Sequence, residues 1–147
     1  MLRKMALGFI ALLVAAMSGL AAQPAAAATR QPVAEVTVLP AAHLTDGGAA
    51  ITVRLLVRCR PVDGVQWEGF VNATQGDVFA WAGLPLVCDG RRHLVHVVLP
   101  VSAPPGTAEF TRGAAEVSAV IMDENTLVEY ADDARSVKVV ARCHGTS

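Results

Sequence analysis

The chain has 147 residues, a formal net charge of −1, 53% hydrophobic residues and three cysteines. A polypeptide of this length fits one domain and leaves little room for two. Its charge makes it a poor match for nucleic acid, whose binding rests on neutralising phosphates.

The N-terminal stretch begins Met1-Leu2-Arg3-Lys4, runs through apolar residues from Met5 to Met17 and ends in Gln23-Pro24-Ala25-Ala26-Ala27-Ala28. A positive start, an apolar run without a polar face and small residues at the end are the three parts of a secretory signal peptide, with cleavage expected near Ala28. An uncleaved anchor is the rival reading, because Met5 to Ala22 reaches about 18 apolar or small residues, the lower edge of a bilayer span. With cleavage, residues 1–28 are the signal, and 29–147 form a single secreted, extracellular domain of charge about −3 that is expected to touch neither membrane nor nucleic acid.

After a short tail the chain alternates short runs rich in Val, Ile, Thr and aromatics with Gly, Pro, Asp and Asn breakers, which is an all-β pattern. Strands are expected near Ala34 to Leu39, Ala50 to Cys59, Gln66 to Thr74, Val78 to Ala82, His93 to Leu99, Ala114 to Met122, Thr126 to Tyr130 and Ser136 to Cys143. About seven to eight strands at this density point to an antiparallel β-sandwich preceded by the signal-peptide helix. In the second run Ile51, Val53, Leu55, Val57 and Cys59 share one face while Thr52, Arg54, Leu56, Arg58 and Arg60 share the other, as a half-buried strand requires. The segment from Arg112 to Glu124 has the Ala and Glu of a helix. Its β-branched Val117, Val120 and Ile121 and its two-residue period favour a strand.

Cys59, Cys88 and Cys143 would enter an oxidising space where thiols pair. Cys59 and Cys88 both sit at expected strand ends, where Cα atoms approach bridging distance, and are the expected disulfide. Cys143 is then a free thiol or a covalent link to another chain.

The residues offer little chemistry. His43, His93, His96 and His144 are the only histidine bases, no G-x-S-x-G elbow occurs, and His93 and His96 lie three apart in a strand, on opposite faces. No paired C-x-x-C or H-x-x-x-H spacing marks zinc, so no metal and no cofactor is expected. Asp123, Glu124, Glu129, Asp132 and Asp133 gather in two expected loops, but their spacing matches no calcium loop. Arg54, Arg58 and Arg60, with Arg91 and Arg92, form either a basic stripe for an anionic polymer or partner protein, or one half of cross-strand pairs with Glu68, Glu116 or similar carboxylates. Trp67, Phe70, Phe79 and Trp81 surround the Gln75-Gly76 turn; some are core, and an exposed ring would make a small platform for peptide or sugar. Asn72-Ala73-Thr74 is formally a glycosylation sequon, meaningful only in a eukaryotic cell.

The order of landmarks resembles small secreted, immunoglobulin-like β-sandwich proteins of actinobacteria. The resemblance is carried by the strand ending in Cys59, the Thr74-Gln75-Gly76 and Cys88-Asp89-Gly90 turns, the Val95 to Pro100 strand and the Phe110-Thr111-Arg112-Gly113-Ala114 run. It implies an immunoglobulin-like sandwich and export, and no assigned activity or functional residue; Cys143 departs from it. The expectation is a non-enzymatic binding or structural module with a cell-surface or secreted protein partner and no assigned oligomeric state. The alternative is a secreted inhibitor, presenting a loop such as Val101 to Gly106, or a small-molecule carrier. An enzyme would need an acidic pair assembled by the fold.

Overall fold

A computed structural model describes residues 32–104 and 106–141. The expected signal peptide, Cys143 and His144 lie outside them, as does Pro105 of the Val101 to Gly106 loop. The described chain is all-β, with eight strands and a single 3-10 turn at Asp46–Gly48. The strands are β1 (Ala34–Val38), β2 (Ala41–Thr45), β3 (Ala50–Cys59), β4 (Trp67–Gln75), β5 (Val78–Gly83), β6 (Arg92–Pro100), β7 (Gly113–Asp123) and β8 (Glu129–Val140).

Strand β3 organises the sheet because both of its edges are used. Along one edge it pairs with β6 from Ala50 to Arg58. On the other it takes β2 against its first residues and β1 against its second half. The step between β1 and β2 falls at Leu39-Pro40: the Leu39 N–H still donates to Arg54 O on β3, and Pro40 O already accepts from Lys138 N on β8. Proline has no N–H to leave unpaired at this crossing. The hydrogen-bonded path continues from β2 through β8, β7 and β4 to β5. A bridge between Ala80 and Val101 brings β5 against the residue following β6, so the two ends of the path meet at one corner.

Three expectations change. The expected strands at Thr126 to Tyr130 and Ser136 to Cys143 meet in a single strand, β8, which holds Glu129–Tyr130 of the first and residues 136–140 of the second, because Ala131 to Arg135 stays extended against β7 from Ile121 to Val117. Strand β2 was not anticipated; its Ala-rich sequence gains strand geometry from the nearby start of β3 and from β8, distant in the chain. The antiparallel pattern is also broken. Residues 41–43 run parallel to residues 138–140, because β2 keeps the direction of β1 after being handed from β3 to β8.

The alternation in β3, β7 and the end of β8 places Ile51, Val53, Leu55, Val57, Val117, Ile121, Val137 and Val139 in one buried cluster. The segment from Arg112 to Glu124, strand or helix by sequence, is strand from Gly113 to Asp123. Phe110, in the connection before β7, is the largest fully buried side chain, and its N–H donates to Gly48 O at 2.8 Å. Burying side chains of this size contributes about 1.5–3 kcal/mol each before entropy is subtracted.

Cys59 and Cys88 form a disulfide with Cα atoms 4.4 Å apart. It pins the segment before β6 to the end of β3, where the Gly90 N–H also donates to Cys59 O at 2.7 Å.

Candidate functional site

Strands β4 and β5 form a tight hairpin through Gly76-Asp77, with Gly76 at φ +58, a conformation that glycine adopts without steric cost. The two-residue period then decides which aromatic faces water. On β4, Gly69, Val71 and Ala73 are buried, so Phe70 and Asn72 face outward; on β5, Ala80 is buried and Phe79 and Trp81 face outward. Phe79 is 45% and Trp81 55% exposed, unusual for rings of this size.

The register sets what surrounds them. Thr74 lies opposite Phe79, Asn72 opposite Trp81, and Phe70 opposite Gly83. Having no side chain, Gly83 leaves the space beside Phe70 open, and the Phe70 and Trp81 rings sit 6.5 Å apart at a 53° tilt. On the other side of β4, Phe70 lies opposite Val120 and Asn72 opposite Ser118. Ser118 Oγ donates to Asn72 Oδ1 at 3.0 Å, fixing the amide that belongs to the sequon. The surface therefore offers two exposed rings at a sheet edge, a third ring behind them and a fixed amide alongside. Its chemistry is stacking and hydrogen bonding.

Trp67, the fourth aromatic of this group, does not join that surface. It packs against the core and meets Tyr130 edge-to-face with centroids 5.0 Å apart, while its buried Nε1–H has no partner among the described residues.

The remaining candidates divide between structural roles and one cationic face. His93 and His96 do leave β6 on opposite faces: His93 Nε2 lies 2.8 Å from Asp89 Oδ1, and His96 lies opposite Arg54. The hydrogen bond with His93, then that from the Arg91 N–H, hold the Asp89 carboxyl below the usual range. His43 lies opposite Thr52. Asp123, buried, accepts hydrogen bonds from Thr126 Oγ1 and from the Gln66 and Asn125 N–H groups. Thr126 is the main reason that its carboxyl titrates below the ordinary range. Asp133 pairs with Arg135 and accepts the Val38 N–H. Asp123 and Asp133 are thus engaged separately, and among the described residues no group of three or more His, Cys, Asp or Glu side chains is arranged to hold a metal.

Arg58 does have the cross-strand partner that its position asks for, but the carboxylate is Glu35 on β1, at 3.1 Å, rather than Glu68 or Glu116. Glu35 also reaches Arg92 at 3.4 Å. The sequence signal for it was the alternation of Ala34 to Val38, which turns Glu35 and Thr37 outward.

No family model matches the chain, and no curated protein matches it.

Proposed function

We propose that the chain is a secreted, non-enzymatic binding module built on an immunoglobulin-like β-sandwich, with Phe79 and Trp81 at the centre of its binding surface. The observation that carries this reading is the exposure of both rings on the outer face of β5, beside Phe70 and the Asn72–Ser118 pair. Aromatic anchors of this kind dominate recognition surfaces, and leaving two of them in water has no packing advantage.

The sandwich reading is supported by the single core shared by strands from both halves of the path. Export is supported by the signal-like N-terminus and the Cys59–Cys88 disulfide, a pairing that persists in oxidising compartments. The resemblance to small secreted actinobacterial sandwiches belongs to the same proposal.

The test compares wild-type protein with a Phe79→Ser/Trp81→Ser variant, each tagged and incubated with wall, membrane and culture-medium fractions of the producing cell. The reading expects a saturable partner retained by the wild type and lost from the variant, at unchanged melting temperature. Equal retention by both, or retention of nothing by either, would overturn it. Intact mass of protein from the medium checks export: a chain beginning at Thr29 is the expected species.

A further inference from the structure

On the outer face of β3 and β6, the strand period and register gather charge of one sign. Arg54 and Arg58 project from β3, Arg60 continues the same row, and Arg92 lies opposite Arg58 on β6, with Arg91 just before it. Arg58 and Arg60 border one small hollow with Pro32, Val33 and Gly90. The other described cationic side chains are only Arg112, Arg135 and Lys138. Against this row stand Glu35, shared between Arg58 and Arg92, Asp132, which borders one hollow with Arg92 and Glu35, and Asp89, already engaged by His93 and the Arg91 N–H. Arg54 makes no ion pair among the described residues, and its buried Nε–H has no protein partner. A surface thus retains excess positive charge on a chain whose net charge is negative.

We infer that this face binds a linear polysaccharide carrying tetrahedral oxyanions, sulfate or phosphate, with Arg54 as a principal contact. Three features select that occupant. Guanidinium groups match such oxyanions with paired, directed hydrogen bonds. Arg54 and Arg58, four residues apart on one strand, are about 13 Å from one another along the backbone, a spacing suited to charges repeating along a polymer. Between these cations the register places Leu56 opposite Leu94, and Val98, with Leu94, is about half exposed. That apolar strip can meet sugar rings, whereas β3 and β6 carry no Phe, Tyr or Trp on which nucleobases would stack.

This site lies on strands other than the aromatic pair's, so either proposal can fail alone. Its test measures binding of the full secreted protein to dextran sulfate, phosphomannan, uncharged dextran and poly-L-glutamate across a salt series. Wild type is expected to bind one or both of the first two at low salt and to ignore uncharged dextran; preference between them tells sulfate from phosphate. Arg54→Gln, and separately the exposed pair Arg60→Gln/Arg91→Gln, should weaken binding about threefold to tenfold and reduce the salt slope by about 1 per arginine removed. Lys138→Gln, on β8, should change neither. Binding to uncharged dextran, preference for poly-L-glutamate, no binding to either sulfated or phosphorylated polymer, or equal weakening by Lys138→Gln would each overturn the inference.

Discussion

Asp133 on β8 accepts the backbone N–H of Val38 on β1 at 2.7 Å, and the same oxygen pairs with Arg135 Nη2 at 2.7 Å. Val38 is fully buried and lies opposite Leu55 at the last β1–β3 register position before the chain steps over to β8. β1 pairs with β3 alone, so the carboxylate supplies a side-chain partner to a buried strand that has no second neighbour in the sheet. Asp133→Ala should leave the Val38 N–H unpaired and Arg135 without its carboxylate, destabilising the fold by about 1–3 kcal/mol in urea denaturation. Asp133→Asn keeps an acceptor and should lose less.

The covalent tie between Cys59 and Cys88 spans a sequence separation of 29. Closing a loop of that size removes about 3.5 kcal/mol of chain entropy from the unfolded state on the chain-entropy model. Cys59→Ala/Cys88→Ala should therefore lower the denaturation midpoint by an amount corresponding to about 3 kcal/mol, and reductant should do the same to the wild type. A midpoint unmoved by reductant would show that the loop is held by the Gly90-to-Cys59 hydrogen bond and its packing instead.

Much of this arrangement was legible in the sequence wherever the partners are close in the chain or the apolar period is unbroken. Strand β3 has the expected limits, Ala50–Cys59, because five inward apolar side chains alternate with polar or long ones. The β4–β5 hairpin was legible from Gly76 and its flanking aromatics. What escaped was non-local or lacked an apolar period. Ala41 and Ala42 have weak strand preference, and β2 exists because residues near Thr52 and Val139 pair with it. Asp132 and Asp133 read as a loop because acidic pairs favour turns, yet Asp133 is spent on Val38, a residue 95 positions away. The candidate surfaces follow the same division. Trp67, Phe70, Phe79 and Trp81 were visible as a group around the Gln75-Gly76 turn, without a division into core and exposed rings, whereas the pairing of Glu35 with Arg58 and Arg92 depended on the β1–β3 and β3–β6 registers.

Gly48 shows how closely the connection before β7 is fitted. It is buried at φ +109, and a Cβ placed there would lie 2.5 Å from Phe110 O and 3.3 Å from Glu109 Cβ. Both the backbone conformation and the space oppose a side chain, and moving Phe110 would disturb the largest fully buried residue. Gly48→Ala should cost about 2–4 kcal/mol, seen as a lower melting temperature. Gly64→Ala, where a Cβ meets nothing within 4 Å, should cost only the strain of its φ of +79.

Leu127 presents the opposite case. It adopts φ +57 in the turn between β7 and β8 and is 72% exposed, so its side chain brings conformational strain with little packing in return. Its N–H donates to Asp123 O at 2.8 Å, which a replacement can keep. Leu127→Asn, whose side chain tolerates this region, should stabilise the protein by about 0.5–1 kcal/mol in chemical denaturation.

Asp123 gives that turn a pH dependence whose sign follows from its partners. Thr126 Oγ1 at 2.7 Å, with the Gln66 and Asn125 N–H groups, stabilises the ionised carboxylate and lowers its folded-state pKa below the ordinary aspartate value. The stabilisation is therefore fully present above the unfolded-state pKa and is lost as pH falls through the lower folded-state value. Asp89, held low by His93 and Arg91, acts in the same direction. Unfolding measured from pH 7 down to pH 2 should show stability falling below about pH 4. Asp123→Asn should flatten part of that fall, while lowering stability at neutral pH by removing the ionised acceptor. Thr126→Val should do so in smaller measure, because it removes the largest single cause of the shift and leaves the two backbone donors in place. A wild-type profile flat to pH 2 would mean that neither carboxylate is coupled to folding.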